Sequence, residues 1–158
     1  MNEPNEALAI TMQALDLIIA RLSLSLMHDT HYFPIAAKAI VSENSDVLRV
    51  RDAFLQRFEQ TADHILRKLH PRLLSAIDAQ TVAIPFFDIL DRLHRLDIID
   101  NPIEWVDLNR LRNRLVHEYS LTPTELSADL NAAWAATPML IKHVNRVRLY
   151  IASNRIAP

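Results

Sequence analysis

Four residues in one short segment, Arg112, Asn113, His117 and Tyr119, have the types and the spacing to do chemistry. A guanidinium can hold a phosphate through charge-assisted, often paired hydrogen bonds. An imidazole titrates near neutrality and can give or take a proton. A helical wheel at about 100° per residue separates the four. With Arg112 at zero, Leu111, Leu115, Leu108, Tyr119, Trp105 and Val116 fall between about −100° and about 40°, so Arg112 lies inside the apolar arc. A guanidinium there needs a partner or a cleft, because an unpaired buried charge loses on the order of several kcal/mol of hydration. Asn109, Asn113 and His117 follow as a polar ridge of i, i+4 neighbours. Asp107, Arg110, Arg114 and Glu118 take the far side, as a solvated, salt-bridging face. Arg112 and His117 stand about 140° apart on an ideal helix. Both reach one point only if the arginine extends around or a second chain contributes.

The helices that must position this segment are marked by their punctuation. The first is expected from about Pro4 to Met27, with Leu8, Met12, Leu15, Ile19, Leu22 and Met27 recurring inward. Its apolar run is broken by Thr11, Gln13, Asp16, Arg21, Ser23 and Ser25, an amphipathic pattern and not a membrane span. Asp46 can cap a second helix carrying Val47, Val50, Phe54, Phe58, Ile65 and Leu69, bent or ended by Pro71. A third starts near Pro85 with Phe86, Ile89, Leu90 and Leu93 inward. Asn101 and Pro102 open the fourth, which runs to about Tyr119. Thr122, Pro123 and Glu125 form a capping box for the fifth, which carries Leu126, Leu130, Trp134, Ile141, Val144 and Ile151, with a kink at Pro138. Short connections between long helices predict an all-α, up-and-down antiparallel bundle of about five helices in a single domain.

Composition removes many alternatives. The 158 residues include no cysteine, which excludes disulfides, thiolate metal sites and thiol nucleophiles. They include no glycine, so P-loop and dinucleotide fingerprints, nucleophile elbows and kinase glycine loops are absent. Tight β-hairpins, whose turns need positive φ, are disfavoured too. Of the 17 basic residues 14 are arginine, suited to bidentate phosphate contact, although GC-rich coding explains the bias as well. Net charge is −2, without the basic stripe of a dedicated nucleic-acid binder. No secretory signal is visible, which leads us to expect a cytoplasmic protein without membrane association.

Arg112, four residues, then His117 matches the R-x4-6-H motif of HEPN domains, with Asn113 the polar residue that many members place after the arginine. The extension through Glu118 to Tyr119 resembles the R-x4-H-x-Y form of HepT-like toxins, which pair with MNT nucleotidyltransferases. The resemblance extends over roughly residues 50 to 150, including Phe54 to Glu59 and Leu96 to Trp105. It implies a HEPN-like domain over residues 1–158 that forms a homodimer with both motifs facing a common cleft. The implied activity is metal-independent endoribonuclease cleavage, in which a ribose 2′-hydroxyl attacks the adjacent phosphate and leaves a 2′,3′-cyclic phosphate. His117 would transfer protons and Arg112 would clamp the phosphate, with Asn113 orienting His117 or binding phosphate. The same resemblance implies the toxin of a toxin–antitoxin module, with RNA as substrate. Its partner nucleotidyltransferase would attach AMP to Tyr119 and so neutralise the site. It implies no cofactor and no metal. Alternatives stay open. Tyr119 reads equally as a core aromatic on the apolar arc, and the chain as a non-catalytic partner that presents nucleotide or substrate to a nucleotidyltransferase, or as a purely structural bundle with a satisfied arginine and a surface histidine.

Other features are weaker. His28 and His31 form an H-x-x-H without a third ligand. Asp88, Asp91, Asp97 and Asp100 fit solvated helix faces, as do Lys142, Arg146 and Arg148, which could otherwise line an RNA groove. Met12, Met27 and Met139 read as core fillers.

Overall fold

The computed structural model describes residues 3–42, 44–78, 84–154 and 156; Met1, Asn2 and the expected domain end at Pro158 lie outside them. Among the described residues every regular element is helical: α1 (Glu3–His28), α2 (Ala37–Ile40), α3 (Ser45–His64), α4 (His70–Ile77), α5 (Phe86–Arg95), α6 (Pro102–Val116) and α7 (Pro123–Ser153). They form a helical bundle, as the glycine-free, periodic sequence predicts. α3 is the hub: it packs on α1, on α6 and on α7.

Local signals start most helices where the sequence puts them. Asn44, two residues before the expected Asp46, caps α3 by accepting from the Asp46 and Val47 amides. The Asn101 side chain caps α6, with Pro102 in its first turn. Thr122 and Glu125 form the capping box of α7, which continues through Pro138 to Ser153. Pro71 does not end the second helix. The backbone widens into a π-helical stretch at Ile65–Leu69 and resumes as α4. Pro71 has no N–H to give and its ring crowds the preceding turn, so a locally wider turn lets the chain stay helical. With no glycine available, Asp97 takes the left-handed conformation after α5 (φ 55°), and the Ile98 amide returns to the Leu93 carbonyl at 2.9 Å.

Phe54, Phe58, Ile65, Leu69, Leu93, Leu115, Leu130, Val144 and Val147 are among the core residues. The link between α1 and α2 is docked on α7. Phe33 stacks on Trp134 with centroids 3.9 Å apart, and the Asn131 side chain both accepts from the Ile35 amide (2.8 Å) and donates to its carbonyl (3.0 Å). Met12 and Met139 pack against the core as expected, but Met27 is exposed. By length and composition α1 is apolar enough to cross a membrane; Leu8, Thr11, Leu15, Leu22 and Ser25 are its residues buried in the bundle.

Candidate functional site

α6 turns Trp105, Leu108, Leu111 and Leu115 into the core, a stripe at helical spacing. Arg112 emerges at the edge of that stripe, with 17% of its side chain exposed, and meets Asp63 in the last turn of α3. Arg112 Nη2 donates to Asp63 Oδ2 at 2.7 Å and Nη1 donates to Asn113 Oδ1 at 3.2 Å. Asp63 Oδ1 accepts from Arg67 Nε at 3.1 Å, so this one carboxylate spans two guanidinium groups. Arg112 Nε is buried and has no acceptor among the described residues. The wheel therefore places Arg112 correctly, and the partner it demands is Asp63.

A second carboxyl, Glu59, feels the guanidinium, and a third, Glu118, acts on Glu59. Glu59, one turn before Asp63, is half-buried. Burial raises its pKa above the ordinary carboxylate value; Arg112 pulls it down, while Glu118 and Asp63 push it up. Glu118 is half-buried as well, with Oε2 occluded and without a hydrogen-bond partner among the described residues. This corrects its assignment to the solvated far face. Arg110 keeps to that face, paired with Asp107 at 3.3 Å. Arg114 instead makes a bidentate pair with Asp129, both bonds 2.8 Å, tying α6 to α7.

The end of α6 changes the geometry of the other candidates. The helix stops at Val116, and not near Tyr119. His117 sits at φ −106°, ψ 37°, and a 3-10 turn spans Glu118–Ser120. The His117 carbonyl accepts from both the Ser120 amide (3.0 Å) and its hydroxyl (2.7 Å), which locks the turn. Angles extrapolated beyond Val116 consequently do not hold. His117 is exposed. Tyr119 is 98% exposed, which overturns its reading as a core aromatic. A cleft of about 290 Å³ lies between α3 and this turn, lined by residues that include Arg51, Gln56, Glu59, Glu118 and Tyr119. Arg112 and Asn113 are thus joined directly, Tyr119 stands at the neighbouring cleft, and His117 lies on the turn between them without lining it.

The residues missed in the sequence are Asp63, Glu59 and Glu118. A signal for the first two existed: they stand four apart on α3, beside the buried Leu55, Phe58 and Ala62, on a helix that had to supply a partner for Arg112. Four of the other weak candidates are held in ion pairs. Arg146 pairs with Asp100 at 2.7 Å, Arg148 with Asp16, and Arg95 with Asp91. Among the described residues no group of three or more metal-ligating side chains forms, so His28 and His31 gain no third ligand.

A second polar constellation lies deep in the bundle. His70 Nε2 and His143 Nε2 are 2.9 Å apart, and Trp105 lies against both rings. His70 is wholly buried and its Nδ1 has no partner among the described residues. One proton must sit between the two Nε2 atoms. If His143 donated it, His70 would carry an orphan N–H at Nδ1. Donation by His70 leaves only a bare lone pair there, the less costly tautomer. Burial, reinforced by His143, holds His70 well below the ordinary imidazole pKa. Burial, then Arg146, pushes His143 down to about 3 against a weak opposing pull from Asp100. Both rings are therefore neutral members of the core.

Comparison of the whole chain with protein-family models, curated proteins and solved structures yields no match.

Proposed function

We propose that the segment Arg112 to Tyr119 is a metal-independent RNA-cleaving site of the HEPN type, completed by a second copy of the chain. On this reading the protein is a cytoplasmic toxin whose partner nucleotidyltransferase silences it by attaching AMP to Tyr119. The observation that carries it is the break in α6 at Val116. It takes His117 out of the helix, five residues after an arginine already held by Asp63 and Asn113. An exposed imidazole can reach a 2′-hydroxyl or a leaving 5′-oxygen, and a pre-positioned guanidinium can meet the phosphorane. Cleavage needs one base and one acid, and each chain offers one His117, which is the role of the second copy. The exposure of Tyr119 favours its modification, since an AMP-transferring partner must reach the phenol oxygen.

A second reading is favoured by the ion pair itself. Asp63 already takes Arg112 Nη2, and the carboxyls around it make the neighbourhood acidic, as expected of an anchoring arginine in a non-catalytic partner of a nucleotidyltransferase. Incubation of purified protein with structured and single-stranded RNA separates the two. The first reading expects cleavage that Arg112→Ala and His117→Ala each reduce by about 10²-fold or more. Intact RNA, with a nucleotidyltransferase held tightly, supports the second.

A further inference from the structure

α1 is apolar on two faces. Leu8, Thr11, Leu15, Leu22 and Ser25 are buried in the bundle. On the other side Ile10, Leu17, Leu24 and Met27 are 57%, 66%, 46% and 71% exposed. These four belong to an outward row, Glu3, Glu6, Ile10, Gln13, Leu17, Ala20, Leu24 and Met27, every member of which is exposed. The row advances in alternating steps of three and four, the a and d spacing that packs one helix against another helix. A bundle helix whose inner face is already satisfied has no intramolecular use for such a seam.

We propose that this outer face of α1 pairs, antiparallel, with the same face of a second copy of the chain. The seam is self-complementary in that direction. With Leu17 set opposite the partner's Ala20, Ile10 meets the partner's Met27 and Gln13 meets the partner's Leu24, so that large side chains fall against smaller or flexible ones. The helix dipoles select the same direction: antiparallel packing opposes them and lays the acidic first turn, Glu3 and Glu6, along the partner's C-terminal end, where Asp29 stands between His28 and His31. Parallel packing would set Glu3 and Glu6 against their own copies. The one pairing that would favour a parallel arrangement, Asp16 with the partner's Arg21, meets competition from Arg148, which already holds Asp16. A lipid surface is a poorer occupant, because Glu3, Glu6 and Asp16 against Arg21 make this helix acidic where anionic headgroups need a basic face. The contact is independent of the RNA-cleaving reading: α1 packs chiefly on α3, α4 and α7, whereas Arg112 is carried by α6.

The chain has no cysteine, so introduced thiols report on this contact alone. Gln13→Cys and Leu24→Cys variants, mixed and mildly oxidised, are expected to give a disulfide-linked dimer, while Leu24→Cys by itself gives none. The two copies of position 24 would lie eleven residues apart along the axis, about 16 Å. Leu17→Glu is expected to halve the native mass measured by light scattering, with an unchanged helical circular dichroism spectrum. The inference is overturned by self-linkage of Leu24→Cys, by a native mass that Leu17→Glu leaves unaltered, or by a monomeric wild type that floats with phosphatidylcholine–phosphatidylglycerol vesicles.

Discussion

Replacing the buried imidazoles, as His70→Gln/His143→Gln, should remove a specific part of the protein's acid sensitivity. In the unfolded chain each histidine titrates near 6.5. In the folded chain His143 is pushed down to about 3 and His70 is also held well below its ordinary value, in both cases by burial first. The folded pKa values are depressed, so the unfolded state binds more protons. The stabilisation is complete above about pH 6.5 and is lost progressively as pH falls toward the folded value. Between pH 7 and pH 5, a histidine kept neutral only by folding costs about 2 kcal/mol of stability. His143 supplies that amount and His70 adds in the same direction. Urea denaturation of wild type and variant at both pH values measures it directly. The five other histidines are common to both proteins and cancel in the comparison. The wild type should lose at least about 2 kcal/mol more than the variant. Equal losses in the two proteins would refute the neutral, buried pair.

Asp63→Ala should destabilise the protein by about 1–3 kcal/mol, less than the figure for a fully buried pair because Asp63 keeps a third of its exposure. Arg112→Met in the same background should recover part of that loss in thermal denaturation; no loss in Asp63→Ala would remove the anchoring role. Glu59→Gln acts on a carboxyl whose folded pKa is raised, so its burden falls on the ionised form. The variant should gain stability at pH 7, and the gain should shrink as pH falls toward 4, where wild-type Glu59 is protonated. Thr122→Ala removes the α7 capping box and should cost about 1 kcal/mol in urea denaturation.

The bundle was legible because its signals are local. The helix starts at Asn101–Pro102 and Thr122–Glu125, and the inward sets of α3, α5 and α7, depend on a few neighbouring residues. Arg112 was legible for a different reason: a charge inside an apolar arc is a conflict that only a partner resolves. Its partner was not, because Asp63 is brought to it by packing of α3 on α6, 49 residues away in sequence. Tyr119 was misplaced because a wheel assumes an unbroken helix, and no glycine or proline marks the end at Val116. The His70–His143 contact depends on a π turn that aims α4 and on the full length of α7. A single histidine within an apolar run gives no sign that it will meet another. The outer row of α1 was partly concealed by the inner one, since both use the same helical period and Met27 fits either.

The proposed site stands or falls on whether the protein breaks RNA at His117. The direct measurement is the end group left on a labelled RNA by purified wild-type protein in the presence of a metal chelator, beside His117→Ala. The proposed site yields fragments ending in 2′,3′-cyclic phosphate from the wild type and intact RNA from the variant, with both proteins equally folded by circular dichroism. Fragments that the variant still produces, 3′-hydroxyl ends, or RNA left whole by the wild type would contradict it.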